Sequence, residues 1–275
     1  MDPARHPADA AERPVVGQAW DDPGPRRIER HAHRRGQVVY VERGCAGVET
    51  DDALFVVPPH RAVWVPPETA HAVRYPREVA FRGVFFAPAL CAALPRHTAV
   101  LQIDPLAREL IRAVASTPWN HAEDGPEARL ARVLLDRLVV APHAALRLPE
   151  PRDPAVRRVS EALARAPGDD RPLGHWAREV ALSERTLARR FERDLAMSFT
   201  EWRRQLRLVS ALERLAAGDA VTTVAYDLGY TAPGSFTTMF RKAMGAAPSE
   251  WLAAVSRTAA RPARPRRRPT RPSRP

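Results

Sequence analysis

Residues 176–202 read WAREVALSERTLARRFERDLAMSFTEW, and residues 224–251 read VAYDLGYTAPGSFTTMFRKAMGAAPSEW. The two stretches repeat one pattern of core positions, while most surface positions differ. In the first helix of each copy the spacing is 48 residues, so that Leu173, Trp176, Ala177 and Val180 recur as Val221, Val224, Ala225 and Leu228. After the turn the spacing is 49 residues, so that Leu187, Phe191 and Leu195 recur as Phe236, Phe240 and Met244. Each copy therefore predicts a short helix, a tight turn and a second helix.

The residues around the two copies carry helix start and stop signals. Ser183 is suited to cap the second helix of the first copy, and Pro233 suits the first turn of its counterpart. Ser198 and Glu201 form a capping box that predicts a joining helix over residues 199–217, closed by Gly218. A helix of about 18–20 residues is about 27–30 Å long. That length suits two second helices about 34 Å apart, the separation of successive major grooves on one face of DNA. The plainer alternative is a helical bundle.

This half of the chain resembles the DNA-binding domain of the AraC/XylS family of transcription regulators. The resemblance is most specific at Gly229-Tyr230, Ser235-Phe236, Phe240-Arg241-Lys242 and Pro248-Ser249-Glu250-Trp251. It implies that the second helix of each unit reads double-stranded DNA. In the first unit the implied DNA-facing residues are Arg185, Thr186, Ala188 and Arg189, with Arg190 and Arg193 nearer the phosphates or at core-flanking positions. Arg189 is the leading base-contact candidate, because the guanidinium fork pairs with two acceptors on guanine.

In the second unit the resemblance implies that the equivalent residues are Gly234, Ser235 and Thr238, with Arg241 and Lys242 near the DNA backbone. Thr238 stands where the family commonly has a basic residue. We therefore expect the second unit to contribute less base readout and more positioning through phosphates.

The N-terminal half has a different pattern. Short β-branched or aromatic runs at 38–41, 47–50, 54–57, 62–65 and 79–86 alternate with turn residues. Strands spaced this closely predict a small antiparallel barrel or jelly roll. Two apolar helical stripes follow, formed by Leu106, Leu110, Ile111 and Val114 and by Leu130, Val133, Leu134 and Leu138. They predict helices that pack against the barrel or form a dimer interface, and the fold class is α+β.

The strand-rich half is similar to the cupin sensor domains that some members of this family carry, through HAHRRGQVVYVERG and VPPHRAVWVPPETAHAV. The resemblance implies a candidate site for a divalent metal at His31, His33 and His71. Gln37 stands where a carboxylate ligand is expected, and an amide oxygen is a weaker ligand than a carboxylate. The alternatives are that these histidines line a pocket for a small organic effector or lie at the surface. Tyr40 and Trp64 are the candidate aromatic residues of such a pocket, and are equally plausible as core residues.

The composition along the chain indicates the domain boundaries and the cellular compartment. The chain has 275 residues and a formal net charge of +11, but residues 257–275 alone contribute eight arginines and no acidic residue. We predict a flexible arm (1–25), a cupin-like sensor and dimerisation domain (26–145), a linker (146–154), the paired DNA-binding units (155–256) and a disordered basic tail (257–275). The sequence lacks a run of the roughly 18–20 apolar residues that a membrane span needs, and the two cysteines cannot form a disulfide framework. A cytoplasmic, nucleoid-associated bacterial protein is expected.

These features predict a sequence-specific DNA-binding transcription regulator that senses a small molecule or a metal. Its expected partners are operator DNA, the effector, a second copy of the chain and RNA polymerase. Two alternatives stay open: a metal-dependent cupin enzyme fused to a DNA-binding domain, and a nonspecific architectural DNA binder driven by the basic tail.

Overall fold

The computed structural model of the protein describes residues 6–58, 61–140 and 146–259. Its N-terminal half is a jelly-roll barrel of two antiparallel sheets, which confirms the predicted α+β class. The first sheet has the order β1-β8-β3-β6-β9-β10, with β1 (Val15–Asp22), β3 (Gly36–Arg43), β6 (Arg61–Val65), β8 (Val79–Phe86), β9 (Ala99–Gln102) and β10 (Val139–Val140). The second has the order β11-β5-β4-β7-β2, with β2 (Arg26–His31), β4 (Ala46–Glu49), β5 (Ala53–Val57), β7 (His71–Tyr75) and β11 (Arg147–Pro149).

Both faces of the first sheet are buried. Along β3, Val39 and Val41 face the barrel interior, where they share a core with residues of the second sheet. Val38 and Tyr40 face outward into a separate core under two helices, α1 (Pro105–Ala115) and α2 (Pro126–Arg137). This alternation follows from the two-residue period of a strand.

The C-terminal half contains the two predicted helical units. Helix α3 (Pro154–Arg165) precedes the first unit, α4 (Leu173–Glu179) and α5 (Glu184–Leu195). The joining helix α6 (Phe199–Ala216) begins with the predicted capping box of Ser198 and Glu201. The second unit is α7 (Val221–Asp227) and α8 (Pro233–Met244), and α9 (Pro248–Ala259) follows it.

The joining helix also packs on the sensor domain. Arg74 lies on the outer face of β7, and its guanidinium is 2.7 Å from the carboxylate of Glu213 on α6. The indole nitrogen of Trp202, near the start of α6, donates to the carbonyl of Pro149 on β11 at 3.3 Å. Helix α9 also contacts β3. The core of the barrel and the core of the helical units are therefore continuous.

Several predicted boundaries were wrong. Residues 15–22, placed in the flexible arm, form β1, which pairs along its whole length with β8 and extends the first sheet. Residues 147–149, placed in the linker, form β11 beside β5. Helix α9 continues to Ala259, past the predicted start of the basic tail, and residues 260–275 lie outside the described residues. Among the described helices, none combines the length and the apolar character needed to cross a membrane.

Candidate DNA-binding face and histidine site

The two helical units share one turn geometry. The amide of Leu182 donates to the carbonyl of Ala177 at 2.9 Å, and the amide of Tyr230 donates to that of Ala225 at 3.0 Å. Within these turns, Ala181 and Gly229 both have positive φ, 53° and 80°. The turns thus keep the 48-residue spacing, and the extra residue of the second copy follows its turn.

Helix α5 turns one face to the core and the other to solvent. The Ser183 side chain caps it by accepting from the amide of Thr186 at 3.2 Å. Its buried residues are Leu187, Phe191 and Leu195. On the outer side Arg185, Thr186 and Arg189 are exposed, and Ala188 is half-buried at the edge. This outer side has the size and polarity that a major groove accepts.

The arginines of α5 fall into two groups. Arg190 and Arg193 each lie 3.4 Å from the carboxylate of Asp153, the residue that caps α3. Arg185 and Arg189 make no ion pair with any carboxylate of the described residues. Arg190, expected near the phosphates or at a core-flanking position, is therefore tied to α3, while Arg185 and Arg189 are available to a ligand. The tie to Asp153 depends on tertiary packing and left no signal in the sequence.

Helix α8 presents fewer charged groups. Phe236 and Phe240 are its buried anchors. The five predicted DNA-facing residues of this unit are all exposed: Gly234, Ser235, Thr238, Arg241 and Lys242. The Thr238 hydroxyl donates to the carbonyl of Gly234 at 3.0 Å, so its proton is already used within the helix.

A groove runs between α8 and the joining helix. Ser235, Thr238 and Lys242 line one side of it, and Glu201 and Arg204 of α6 line the other. Sequence reasoning missed Arg204, although it lies two residues after the buried Trp202 and thus on the opposite side of α6. With 18 residues, α6 is about 27 Å long and holds the two units apart.

The four predicted metal-site residues lie together at one end of the barrel. His31 ends β2 and pairs across the sheet with His71, which begins β7. His33 follows in the turn before β3, with its ring 5.1 Å from that of His71. The candidate ligand atoms of the three histidines lie within 4.8 Å of one another. The side-chain oxygen of Gln37 is 3.2 Å from Nε2 of His33 and 3.2 Å from Nε2 of His71.

A fourth imidazole and an apolar ring border this cluster. The ring of His6 lies 5.3 Å from that of His33 and 4.9 Å from that of Phe85. Burial, together with the charges of the neighbouring histidines, lowers the pKa of His71 to about 3 and the pKa of His6 to about 4. Burial also lowers the pKa of His33. These three imidazoles are therefore neutral at neutral pH.

The structure corrects the predicted aromatic lining of the barrel. Tyr40 and Trp64 lie on the outer face of the first sheet, under α1 and α2, and the Trp64 indole donates to the carbonyl of Pro95 at 2.8 Å. They cannot reach the interior, because neighbouring residues of β3 and β6 point to opposite faces. The interior instead holds Tyr75 and Trp20, whose rings are 5.1 Å apart. The buried Tyr75 hydroxyl has no hydrogen-bond partner among the described residues.

These two sites define a class of protein, a DNA-binding protein with an attached ligand-binding domain. Residues 14–138 match the family profile described as an AraC-like ligand binding domain, and residues 176–254 match the one described as a helix-turn-helix domain. The HTH-type transcriptional regulator NimR of Escherichia coli is 36% identical over 235 residues, which cover 84% of this chain and 86% of that protein. The chain belongs to the AraC/XylS family of transcriptional regulators.

Two other proteins are similar over part or most of the chain. The HTH-type transcriptional regulator RipA of Corynebacterium glutamicum is 36% identical over 120 residues, 44% of this chain and 34% of RipA. A crystal structure of ToxT from Vibrio cholerae covers 88% of this chain and 96% of its own, with 11% identity and a TM-score of 0.36.

Proposed function

We propose that this transcriptional regulator reads operator DNA by placing α5 and α8 in two successive major grooves. The observation that carries the proposal is the position of Arg185 and Arg189. Both are exposed on the side of α5 opposite the buried Leu187 and Phe191, and no described carboxylate neutralises them. Arginine in this position pairs with the two major-groove acceptors of guanine.

The second unit positions the protein more than it reads bases. Ser235 and Thr238 are short, and the Thr238 hydroxyl is used within α8. Arg241 and Lys242 follow on the exposed side, and Arg204 lies across the groove on α6. Cations grouped around a weakly polar helix face favour contacts with phosphates, which fix orientation without reading sequence.

The barrel interior is the proposed effector pocket. His71 and Tyr75 lie four residues apart, at the two ends of β7, so both side chains face the barrel interior. The hydroxyl of Tyr75 is unpartnered, and its ring lies 5.1 Å from that of Trp20 and 6.1 Å from that of Phe81. A pocket of this kind suits a ligand with an apolar body and a polar group, because a buried polar atom without a partner is unfavourable until a ligand satisfies it.

We further propose that the protein forms a homodimer through α1 and α2. Leu110, Ile111 and Val114 of α1 are buried against the barrel. Leu106, Leu130 and Val133 instead remain 53%, 38% and 44% exposed. Each helix thus has an apolar edge left over after packing, and a second copy of the chain would cover it. The molar mass in solution of Leu130→Glu beside the unaltered protein tests this assignment, and an unchanged mass would remove α2 from the interface.

Two other functions have weaker support. A metal-dependent enzyme would use the histidine cluster. A glutamine stands there in place of the expected carboxylate, and the chain carries a paired DNA-binding unit. We therefore propose that the protein is not an enzyme. An architectural DNA binder would rely on the tail, whose residues 260–275 include seven arginines. We propose that the regulator acts on operators of the bacterial nucleoid, in the cytoplasm. Whether it contacts RNA polymerase would depend on the position of the operator.

Genomic mapping of binding sites followed by DNA-shift assays at physiological salt tests the proposal. The full chain is expected to select a defined sequence, and a chain ending at Ala259 is expected to select the same one. A binder that loses all affinity without the tail, or that shows steep salt dependence without sequence preference, would be architectural instead.

A further inference from the structure

The three clustered histidines have the same tautomer. Nδ1 of His31 is 2.8 Å from the carbonyl of Glu29, Nδ1 of His33 is 2.5 Å from that of Arg35, and Nδ1 of His71 is 2.8 Å from that of Thr69. A carbonyl oxygen only accepts hydrogen bonds, so Nδ1 carries the proton in each ring. In the neutral form, Nε2 of each of the three histidines is therefore unprotonated and carries a lone pair.

Two of these lone pairs face another acceptor. The side-chain oxygen of Gln37 is 3.2 Å from Nε2 of His33 and 3.2 Å from Nε2 of His71. The lone pairs of His33 and His71 thus face the amide oxygen with no proton between them, and the candidate ligand atom of His31 lies within 4.8 Å of those of the other two histidines. Such a set of acceptors is unfavourable by itself, and a cation at its centre would satisfy every member.

We propose that this cluster is a binding site for a divalent transition metal of the zinc class, with Nε2 of His31, His33 and His71 and the amide oxygen of Gln37 as ligands. Three imidazoles and one oxygen make a four-ligand set of the kind that zinc accepts. Metal-binding histidines almost always donate their other ring N–H to a carbonyl or carboxylate, and all three do so here.

The distances fit a tetrahedral ion. Metal–ligand distances of about 2.0–2.1 Å place neighbouring ligand atoms of a tetrahedron about 3.3–3.4 Å apart. The two distances from the Gln37 oxygen, both 3.2 Å, already match this edge. The three histidine atoms lie within 4.8 Å of one another, so binding requires a small closure of the cluster.

His6 is not a ligand in this arrangement. Its Nδ1 accepts from the amide of Ala8 at 3.2 Å, so its Nε2 carries the proton in the neutral ring. The His6 ring stacks 5.8 Å from that of His31 and covers the cluster without offering it a lone pair.

A metal ligand would be an effector of the sensor domain, and this regulatory role rests on the function proposed above. Metal binding itself is measured without DNA. The full-length protein, purified without a histidine tag and stripped with a chelator, is titrated with Zn²⁺ by calorimetry and with Co²⁺ by visible absorption. One equivalent is expected, with the absorption bands of a tetrahedral Co²⁺ site. His33→Ala is expected to lower the affinity by more than the roughly 10–100-fold that loss of a supporting partner causes at metal sites. The exposed His97, outside the cluster, gives the matched control His97→Ala.

Gln37→Glu is the sharper variant, because it is expected to gain affinity and so cannot be mistaken for a folding defect. A carboxylate is a stronger ligand than an amide, so its binding of Zn²⁺ should be at least about tenfold tighter. His6→Ala should still bind one equivalent of Zn²⁺, because His6 is not a ligand.

The alternative arrangement has the Gln37 amide reversed, so that its nitrogen donates to both histidines. Less than one equivalent in the unaltered protein, with no gain in Gln37→Glu, would establish that arrangement and overturn the metal site. Sequence-selective DNA shifts by the same preparation would in that case leave the regulator assignment intact. Metal binding without any selective DNA shift would support the metal site and contradict the regulator assignment.

Discussion

The side chain of Arg189 projects from α5 on the side opposite the buried Phe191. Its neighbour Arg190 is held by Asp153, so adjacent residues of identical chemistry have different surroundings. The difference comes from the helical period, which turns one arginine outward and the next toward α3. Residue identity alone therefore does not decide which arginine is available to DNA.

Arg189→Ala should weaken binding to the cognate site by about 1–3 kcal/mol and relax the preference at one base position. The reason is the loss of a bidentate contact with guanine. Affinities for cognate and random DNA, measured at the same salt concentration, check this. Arg96→Ala removes an exposed charge from the sensor domain and serves as the control. An equal loss on both DNAs would leave Arg189 with a phosphate contact only.

The two turns permit a matched pair of substitutions at Gly229 and Ala181. Gly229→Ala would force a side chain to a φ of 80° and bring its Cβ to 2.3 Å from the carbonyl oxygen of Gly168. We expect it to lower the free energy of unfolding by at least about 1–2 kcal/mol. Ala181→Gly relieves the same backbone penalty but loosens the unfolded chain, so its effect should lie between zero and a gain of about 1 kcal/mol. Urea unfolding measures both, and equal losses would contradict the shared turn geometry.

At the scale of elements, α6 has two roles. It spaces the helical units, and it packs on the outer face of the second sheet through Glu213 and Arg74. Burial raises the pKa of the Glu213 carboxyl above its usual 4.5, even with Arg74 beside it. The folded protein thus holds this proton more tightly than the unfolded chain does. Stability from Glu213 is fully present below about pH 4.5 and is lost as the pH rises through the raised pKa.

Glu213→Gln should therefore unfold at an equal or higher urea midpoint than the unaltered protein at neutral pH, because the amide avoids the burial of a charge. The advantage should shrink as the pH falls toward 4.5. Glu49→Gln removes the other carboxylate beside Arg74, which lies 3.3 Å away and is more exposed, and serves as the control. A neutral-pH loss in Glu213→Gln that grows at lower pH would contradict this assignment.

Elements differed in how much of them the sequence predicted. The helical repeat was predictable because its core residues, such as Trp176 and Phe191, recur at fixed positions and its caps are local. Strand β2 has no apolar alternation, and β1 begins in a Pro- and Asp-rich segment, so both depend on distant pairing with β7 and β8. The sequence did not show that Tyr40 faces away from the barrel interior. Strand β3 is buried on both faces, so its residues do not alternate between apolar and polar. The histidine cluster was predictable from its motif, but its shared tautomer was not.

At the scale of the molecule, one strand connects the two halves. His71 at the start of β7 faces the barrel interior, and Arg74 faces outward to Glu213 on α6. Arg74, which contacts the helix that spaces the DNA-binding units, thus lies three residues after His71 of the proposed metal site. The net charge of +11 has little part in this arrangement, since the tail supplies most of it.

In the proposed complex, α6 holds both units against successive major grooves of one DNA face. The most direct test of this arrangement is the affinity of the full chain for a mapped operator with base pairs inserted between its two halves. An insertion of about 5 base pairs turns one half-site to the opposite face. We expect specific binding to fall to the level of a single half-site. Binding that survives the insertion unchanged would contradict this arrangement.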